Sequence, residues 1–499
     1  MSATENFIAI DFGASNGRAI AGLFDGNRIR FSEIHRFENR PVYMGGVLYW
    51  NFLSLFSELK TGIANSSKKY RDIESIGIDT WGCDFGLLDK NNILLSNPVH
   101  YRDRRTIGIS AEVKNYFSEY EMYERTQAQI LEINTVCQLY SLKKSKSVIL
   151  ENANRLLFLG DLFNFFLTGQ VLCEFSSASL TQLFNQREKK WEYFIIKKLG
   201  LPEHIFTETT EPGIVIGKLN SNITEDLNCP GFNVVLTGYD TTSEITAIPV
   251  SACDSLKNWA YLNCGTWAMV GVVSDGPIVT AEGFKHGFGN EGGFGGKYHF
   301  LKNMVGLYII QQCRNKWNEN NNLSWKDIDS YTEKTASTDI FIDVDDIIFE
   351  REIFDMPWCI IKYCESTRQK TPEDIGQICR IFYESLVLKY ILNLKKLEKI
   401  LGKKIELLHI VGGGSNNSIL SQWISDASGL LLIAGPKETT ATGNILAQMV
   451  AVKAAGDIKQ AREILISSVK LNNFLPDKTQ KSYWDNKFEK YLKVLSLEI

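Results

Sequence analysis

Four short stretches carry residue types suited to holding a polyphosphate and activating a hydroxyl. In the first, DFGASNGR at Asp11 to Arg18, an aspartate closes the apolar run FIAI. Gly13, Ala14, Ser15 and Gly17 then leave backbone N–H groups open to an anion, and Arg18 adds a fixed cation. An aspartate so placed can hold a hydrated Mg2+ rather than touch phosphate itself; the alternative is a plain hairpin with a capping Asp. In the second stretch, LTGYDTTSE, Asp240 follows the apolar run Val234, Val235 and Leu236 and precedes a helix start. It reads either as an N-cap, with Thr241, Thr242 and Glu244 forming a first turn, or as a general base for a substrate hydroxyl. The third, Asn263-Cys264-Gly265-Thr266, is a second anion turn in which Thr266 offers a hydroxyl and an N–H to a terminal phosphate, or else a tight hairpin turn. The fourth, Gly412-Gly413-Gly414-Ser415-Asn416, lies between a strand and a helix, where glycines let a flat base or a ribose approach the backbone closely.

The elements that must position these residues occur twice. FIAIDFGASNGRAIAGLFDGN, from Phe7, and WAYLNCGTWAMVGVVSDGP, from Trp259, each read as strand, small-residue turn, strand and Asp-Gly turn. Leu48 to Ser67 is an amphipathic helix, with Phe52, Leu55, Phe56 and Leu59 at helical spacing. Ile73 to Asp89 is a buried strand, a turn and a second strand, and helical and loop material follows to about Gly231. Phe232 to Val250 is a strand, a Gly-Tyr-Asp turn and a small-residue helix start. A long amphipathic helix runs from Pro372 to Ile400, with Ile375, Cys379, Phe382, Leu386 and Tyr390 on one side, and Gly402 stops it. IESIGIDTWGCDFG in the first half is paralleled by IELLHIVGGGSNNS in the second. The class is α/β, a duplicated fold with a nucleotide held between the copies. The expected domains are 1–248 and 249–499, with the boundary near Ala247 to Leu256 and the last ~40 residues packing back on the first domain.

The chain has 499 residues, enough for two cores, with 44% apolar and 22% charged residues. Its net charge of −4 and lack of a basic block argue against nucleic-acid binding. The N-terminus MSATENFIAI lacks a basic start and long apolar core, and no run reaches membrane-spanning length, so the expected location is the cytoplasm, with no membrane partner. The ten cysteines are dispersed, Cys359 and Cys364 being closest, and read as reduced buried thiols. The six histidines form no H-E-x-x-H. Gly287, Gly289 and Gly292 match G-x-G-x-x-G without a strand-then-helix context, and no P-loop motif occurs.

Together, AIDFGASNGR, EIHRF, SIGIDTWGCDFGLLD, YRDRRT, GYDTTS, NCGTWAMVG, NEGG, FLKNMVGL, ESLVLKY, LHIVGGGSNN and IAGPKETTATGN make the chain resemble the FGGY carbohydrate kinases nearly end to end. The DTWG-x-DF and LKN-x-x-GL blocks point within that family to the branch acting on L-rhamnulose. The resemblance implies two actin-like (ribonuclease H-like) domains closing over a nucleotide and sugar cleft. It also implies Mg2+-assisted transfer of the ATP γ-phosphate to the sugar's 1-hydroxyl. By position, Asp240 matches the catalytic base, Ala14, Ser15, Asn16, Gly17 and Arg18 the ATP phosphate loop, and Asp11 the place beside the metal. Gly82, Tyr239, Asp240 and Thr241 match sugar-contacting positions; Trp81 and Asp84 lie beside them, Trp81 either stacking on the sugar or packing in the core. Thr266, Asn303, Gln311, Gly413 and its neighbour Gly414 match nucleotide-contacting positions. Three positions depart from the family pattern: Tyr239 where His is frequent, Asn263-Cys264 in an SSGT-like turn, and Cys83 in place of valine. The alternatives are a kinase of another ketose, such as L-fuculose or a xylulose, and a non-catalytic sensor on the same fold.

Overall fold

β1 (Glu5–Phe12) is buried along nearly its whole length, as a strand covered on both faces must be. It anchors a mixed sheet with β2 (Asn16–Phe24), β3 (Ile29–Glu38), β4 (Ile73–Thr80), β5 (Ile214–Lys218) and β6 (Asn233–Leu236), in the order β5-β6-β4-β1-β2-β3. β1, β4 and β6 are parallel, so their carboxyl ends lie along one edge. The register sets Asp11 opposite Asp79 on β4 and opposite Arg18 on β2. The computed structural model describes residues 5–251, 257–349 and 355–499. Contacts divide the chain into two units: 1–251 with 273–300 and 438–469, and 252–272 with 301–437 and 470–499.

The first unit thus takes in a segment from near the chain's far end. In the helix Thr439–Ala451, Ile445 and Met449 share an apolar cluster with Phe7, Ala9 and Ile20. Gly443, in the same helix, lies so close to the helix Asp240–Thr246 that a Cβ there would fall 1.7 Å from the Ser243 carbonyl oxygen. The units are therefore interleaved in sequence rather than divided at one point. Of the segment Ala247 to Leu256, residues 252–256 lie outside the described residues.

Local chemistry sets the remaining boundaries. The first helix spans Phe52–Lys69, starting after Leu48, because Val47–Tyr49 pairs with Val42–Met44 and the Asn51 side chain accepts the Ser54 N–H as N-cap. Between Asp89 and Gly231, where helix and loop were expected, the strand Arg155–Phe158 pairs with Phe85–Leu88. An apolar run as short as Leu156-Leu157-Phe158-Leu159 does not let periodicity distinguish strand from helix.

The second unit repeats the design. β7 (Trp259–Cys264), β8 (Trp267–Ser274), β9 (Tyr298–Val305), β10 (Leu407–Val411), β11 (Leu432–Ala434) and β12 (Asn472–Phe474) are six of the seven strands of one sheet, in the order β12-β11-β10-β7-β8-β9, with the short strand Gly289–Gly292 as the seventh. β7, β10 and β11 are parallel, and β7–β8 and β11–β12 antiparallel, matching the first sheet position by position. The long helix is Ile375–Leu401, closed by Gly402 at φ 64. It is not one-sided: Glu384, Lys389 and Asn393 are buried along with the apolar stripe, the pattern of a helix surrounded by protein. Nine cysteines of the described residues are free and buried.

The backbone contact at Gly443 makes a direct prediction. Gly443→Ala gains about 1 kcal/mol of helix propensity, but its methyl meets a carbonyl that no rotamer change can move, and overpacking of this kind costs about 1–3 kcal/mol or more. The expected outcome in chemical denaturation is net destabilisation; unchanged or raised stability would refute the close packing of these two helices.

Candidate functional site

Three aspartates gather where β1, β4 and the helix following β6 end or begin. Asp11 Oδ2 accepts hydrogen bonds from Arg18 Nε at 3.0 Å and Nη2 at 2.8 Å, while Arg18 also pairs with Glu438. Arg18 is thus held between two carboxylates. Asp79 is fully buried; its Oδ1 accepts from Ser243 Oγ at 2.8 Å and its Oδ2 from Asn444 Nδ2 at 2.9 Å. Burial, and after it the charge of Asp11, push the Asp79 carboxyl well above the usual carboxylate range. Asp240 is the first residue of its helix, and Tyr239 occupies the N-cap without a side-chain cap. Asp240 Oδ1 accepts the Thr241 N–H at 2.6 Å and the Thr241 hydroxyl at 3.3 Å.

Burial raises the Asp240 carboxyl to about 7; the Thr241 amide opposes the rise, and Asp11 and Glu291 add to it. Asp11 is itself raised by burial against the pull of Arg18. A carboxyl near 7 is a competent base at neutral pH. Like charges that raise one another also favour a cation beside them. Mg2+ is commonly held by one or two carboxylates with water and substrate phosphate completing its shell. Among the described residues no group of three or more His, Cys, Asp or Glu is arranged to hold a metal alone. The donor set around Asp11 suits that partial kind of binding.

The turn after β1 is prepared for an anion by having its carbonyls occupied. The Gly13 N–H closes onto the Asn16 carbonyl at 2.8 Å; Asn39 donates its Nδ2 to the Gly13 carbonyl at 2.9 Å and its backbone N–H to that of Ser15 at 3.0 Å. Ser15 and Asn16 are exposed and Ala14 is half-buried. Gly17 has a packing reason of its own: a Cβ there would lie 2.2 Å from the Phe37 ring.

On the side of the predicted sugar residues, Asp84 is the hub. It has no solvent exposure, and its carboxylate accepts four donors: Trp50 Nε1 at 2.6 Å, Trp81 Nε1 at 2.9 Å, Gln138 Nε2 at 2.9 Å and the Tyr101 N–H at 3.2 Å. Burial raises it to about 6 despite those donors. Trp81 is buried with its ring 3.9 Å from that of Trp50, which in turn stacks on His100. Gly82 is half-buried, and a Cβ on it would strike Leu180 at 2.3 Å and approach Tyr239 at 3.5 Å. Cys83 is left-handed at φ 72, and its carbonyl accepts the Thr135 hydroxyl at 2.8 Å. Tyr239 is buried; its hydroxyl donates a short hydrogen bond to Glu291 and its N–H reaches Ser176 Oγ at 3.2 Å. Thr241 is buried beside Asp240.

In the second unit the two glycine turns touch. Parallel pairing of Asn263 with Val411 brings 263–266 against 412–414. Gly412, at φ 81, would place a Cβ 2.6 Å from Asn263 Oδ1, and Gly414 one 2.3 Å from Cys264 Sγ; a Cβ on Gly413 would meet nothing. Two of the three glycines therefore serve packing on Asn263-Cys264, while the third faces open space. Thr266 is exposed, and its Oγ1 donates to Gln311 Oε1 at 3.3 Å; Asn303 lies half-buried on β9.

Sequence reasoning missed Asp79, Glu291, Glu438 and Asn444. Asp79 was detectable, since it closes an apolar strand as Asp11 does. The others lie in NEGG and IAGPKETTATGN, blocks that carried the family resemblance but gave no role to these side chains.

Residues 6–246 match the N-terminal domain, and residues 260–452 the C-terminal domain, of the FGGY family of carbohydrate kinases. The rhamnulokinase of Bacteroides thetaiotaomicron is 36% identical over 482 residues, covering 96% of this chain and 97% of that protein. The rhamnulokinase of Bacillus subtilis is 32% identical over 496 residues, covering 98% and 99%. Among solved structures, a gluconate kinase from Lactobacillus acidophilus superposes with a TM-score of 0.81 at 13% identity over 99% of this chain and 98% of that one. Plasmodium falciparum glycerol kinase with ADP gives 0.76 at 14% identity over 100% of both chains. These likenesses show the actin-like (ribonuclease H-like) fold.

The carboxylate coupling can be measured directly. Asp11→Asn removes one of the charges that raise Asp240, so the Asp240 carboxyl, followed by carbon NMR, is expected to titrate at lower pH than in the unaltered protein. An unmoved titration would show that Asp11 does not act on it.

Proposed function

This chain belongs to the FGGY family of carbohydrate kinases and is an ATP-dependent sugar kinase, and we propose that it phosphorylates L-rhamnulose at the 1-hydroxyl. The observation carrying the chemistry is Asp240, half-buried at a helix start and held at about 7. The choice of sugar is supported by relatives named rhamnulokinase that match over nearly the whole chain.

Asp240 takes the proton as the sugar O–H bond breaks. The freed oxygen bonds to the γ-phosphorus, and the bond from that phosphorus to the β,γ-bridging oxygen breaks, releasing ADP. Gly82, Tyr239 and Thr241 line the acceptor sugar. Asp84, with its four protein donors, acts by fixing Trp81 and the Gly82-Cys83 turn rather than by binding hydroxyls itself. Ala14, Ser15, Asn16 and Gly17 cradle phosphate, and Arg18 answers to both Asp11 and the phosphates. Thr266, Asn303, Gln311, Gly413 and Gly414 hold the nucleotide. When bound through Asp11 and water, Mg2+ neutralises charge on the transferring group. Most of the rate then comes from positioning and electrostatics.

Asp240 must be ionised to act, so kcat/KM for the sugar is expected to rise about tenfold per pH unit up to about pH 7 and level off above it. Asp240→Asn should lower kcat by at least about a hundredfold while ATP still binds; near-normal kcat would remove Asp240 from the mechanism. The same group predicts a stability signature. Its folded-state pKa is raised, so the folded protein binds this proton more tightly than the unfolded chain, and stability falls as pH rises from about 4 to about 7. Asp240→Asn should therefore melt above the unaltered protein at pH 8 and close to it at pH 4.

A ketose panel tests the substrate. L-rhamnulose should give the highest kcat/KM, and a higher value for L-fuculose or a xylulose would reassign it.

A further inference from the structure

The polar run from Asn318 to Asn322 leads into an exposed tryptophan that the site described above leaves without a role. Trp325 opens the helix Trp325–Lys334 and is 43% exposed. Its ring is held: the Arg314 guanidinium lies 4.9 Å from the ring centroid. Arg314 Nε also donates to the Leu323 carbonyl at 2.7 Å. Asn318 closes the intervening loop, donating to that carbonyl at 3.1 Å and accepting the Leu323 N–H at 2.7 Å. Ser324 and Asp327 complete a capping box that fixes the start of the helix. So much local bonding makes Trp325 a fixed surface rather than a loose side chain.

Its neighbours on both sides lead to the nucleotide residues. Arg314 is one turn beyond Gln311 on the helix Tyr308–Trp317, and Gln311 accepts the Thr266 hydroxyl. Asp329 is one turn beyond Trp325 on the same helical face and accepts from Asn417 Nδ2 at 2.9 Å. Asn417 directly follows the Gly413–Asn416 turn and caps the next helix. The ring is thus linked to the Thr266 turn through Arg314 and to the triple-glycine turn through Asp329.

We propose that Trp325, backed by Arg314, is the platform on which the purine base of the nucleotide stacks. The proposal rests on the ATP-dependent reading above. An indole face offers a base a sequence-tolerant π surface, and such stacking is worth about five- to a hundredfold in affinity. It also accounts for a large apolar ring left open to solvent beside an otherwise polar loop.

The test is calorimetric binding of ADP to the full-length protein, with KM measured for ATP and for the ketose. Trp325→Ala is expected to weaken ADP about five- to a hundredfold and to raise KM for ATP, leaving KM for the sugar unmoved. Trp325→Phe, which keeps a ring face, should recover most of the loss. Trp325→Leu, which keeps apolar bulk without a π face, should not. Trp358→Ala, at another exposed tryptophan, should bind ADP normally. ADP binding by Trp325→Ala equal to that of the unaltered protein, or full recovery by Trp325→Leu, would overturn the platform. Failure of the unaltered protein to bind ADP would instead overturn the ATP-dependent reading beneath it.

Discussion

Asp11 and Asp79 stand in register at the ends of adjacent parallel strands with almost no water around either. Two carboxylates cannot be desolvated side by side without compensation, and much of the first unit supplies it. Arg18 comes from the paired strand, Ser243 from the helix that carries Asp240, and Asn444 from a helix nearly two hundred residues further on. Gln448, one turn beyond Asn444, ties that helix to the Ile8 carbonyl and back to the Asn444 side chain. The parallel register creates the electrostatic problem, and its solution fixes the helix start where Asp240 sits.

The two units share a strand order but not a chemistry. In the first, the ends of the parallel strands are acidic, and the ligand-side groups are carboxylates answered by an arginine and amide donors. In the second, the matching ends carry Asn263, Cys264 and the Gly412–Gly414 turn, uncharged groups whose shape is set by close packing. Such a division suits a reaction in which one partner must lose a proton and the other must be held still. The departures at Asn263 and Cys264 are consistent with this, since both side chains face the neighbouring turn and leave Thr266 exposed.

Much of this could be read from the chain because the informative residues lie next to strand ends. Asp11, Asp240, Thr266 and the triple glycine each follow an apolar run, so hydrophobic pattern and chemistry were adjacent in sequence. Asp84 shows the limit of that reading. A carboxylate beside a tryptophan says nothing in sequence of its four protein donors, which are drawn from four separate segments. Glu291 and Asn444 lie in quoted blocks, but their roles were not legible for the same reason: each matters through a partner 52 or 365 residues away, a distance over which no periodicity carries information. The all-round burial of Ile375–Leu401 likewise depends on what surrounds the helix and not on its own stripe.

The packing of Thr439–Ala451 beneath β1 also has a consequence for how the protein is made. Phe7, Ala9 and Ile20 are synthesised long before Ile445, Leu446 and Met449, which share their apolar cluster. Until residues 441–449 emerge, the first sheet lacks that apolar cover, and its acidic edge lacks the Asn444 amide. An apolar face left open in this way is a surface through which an incomplete chain can associate with its neighbours.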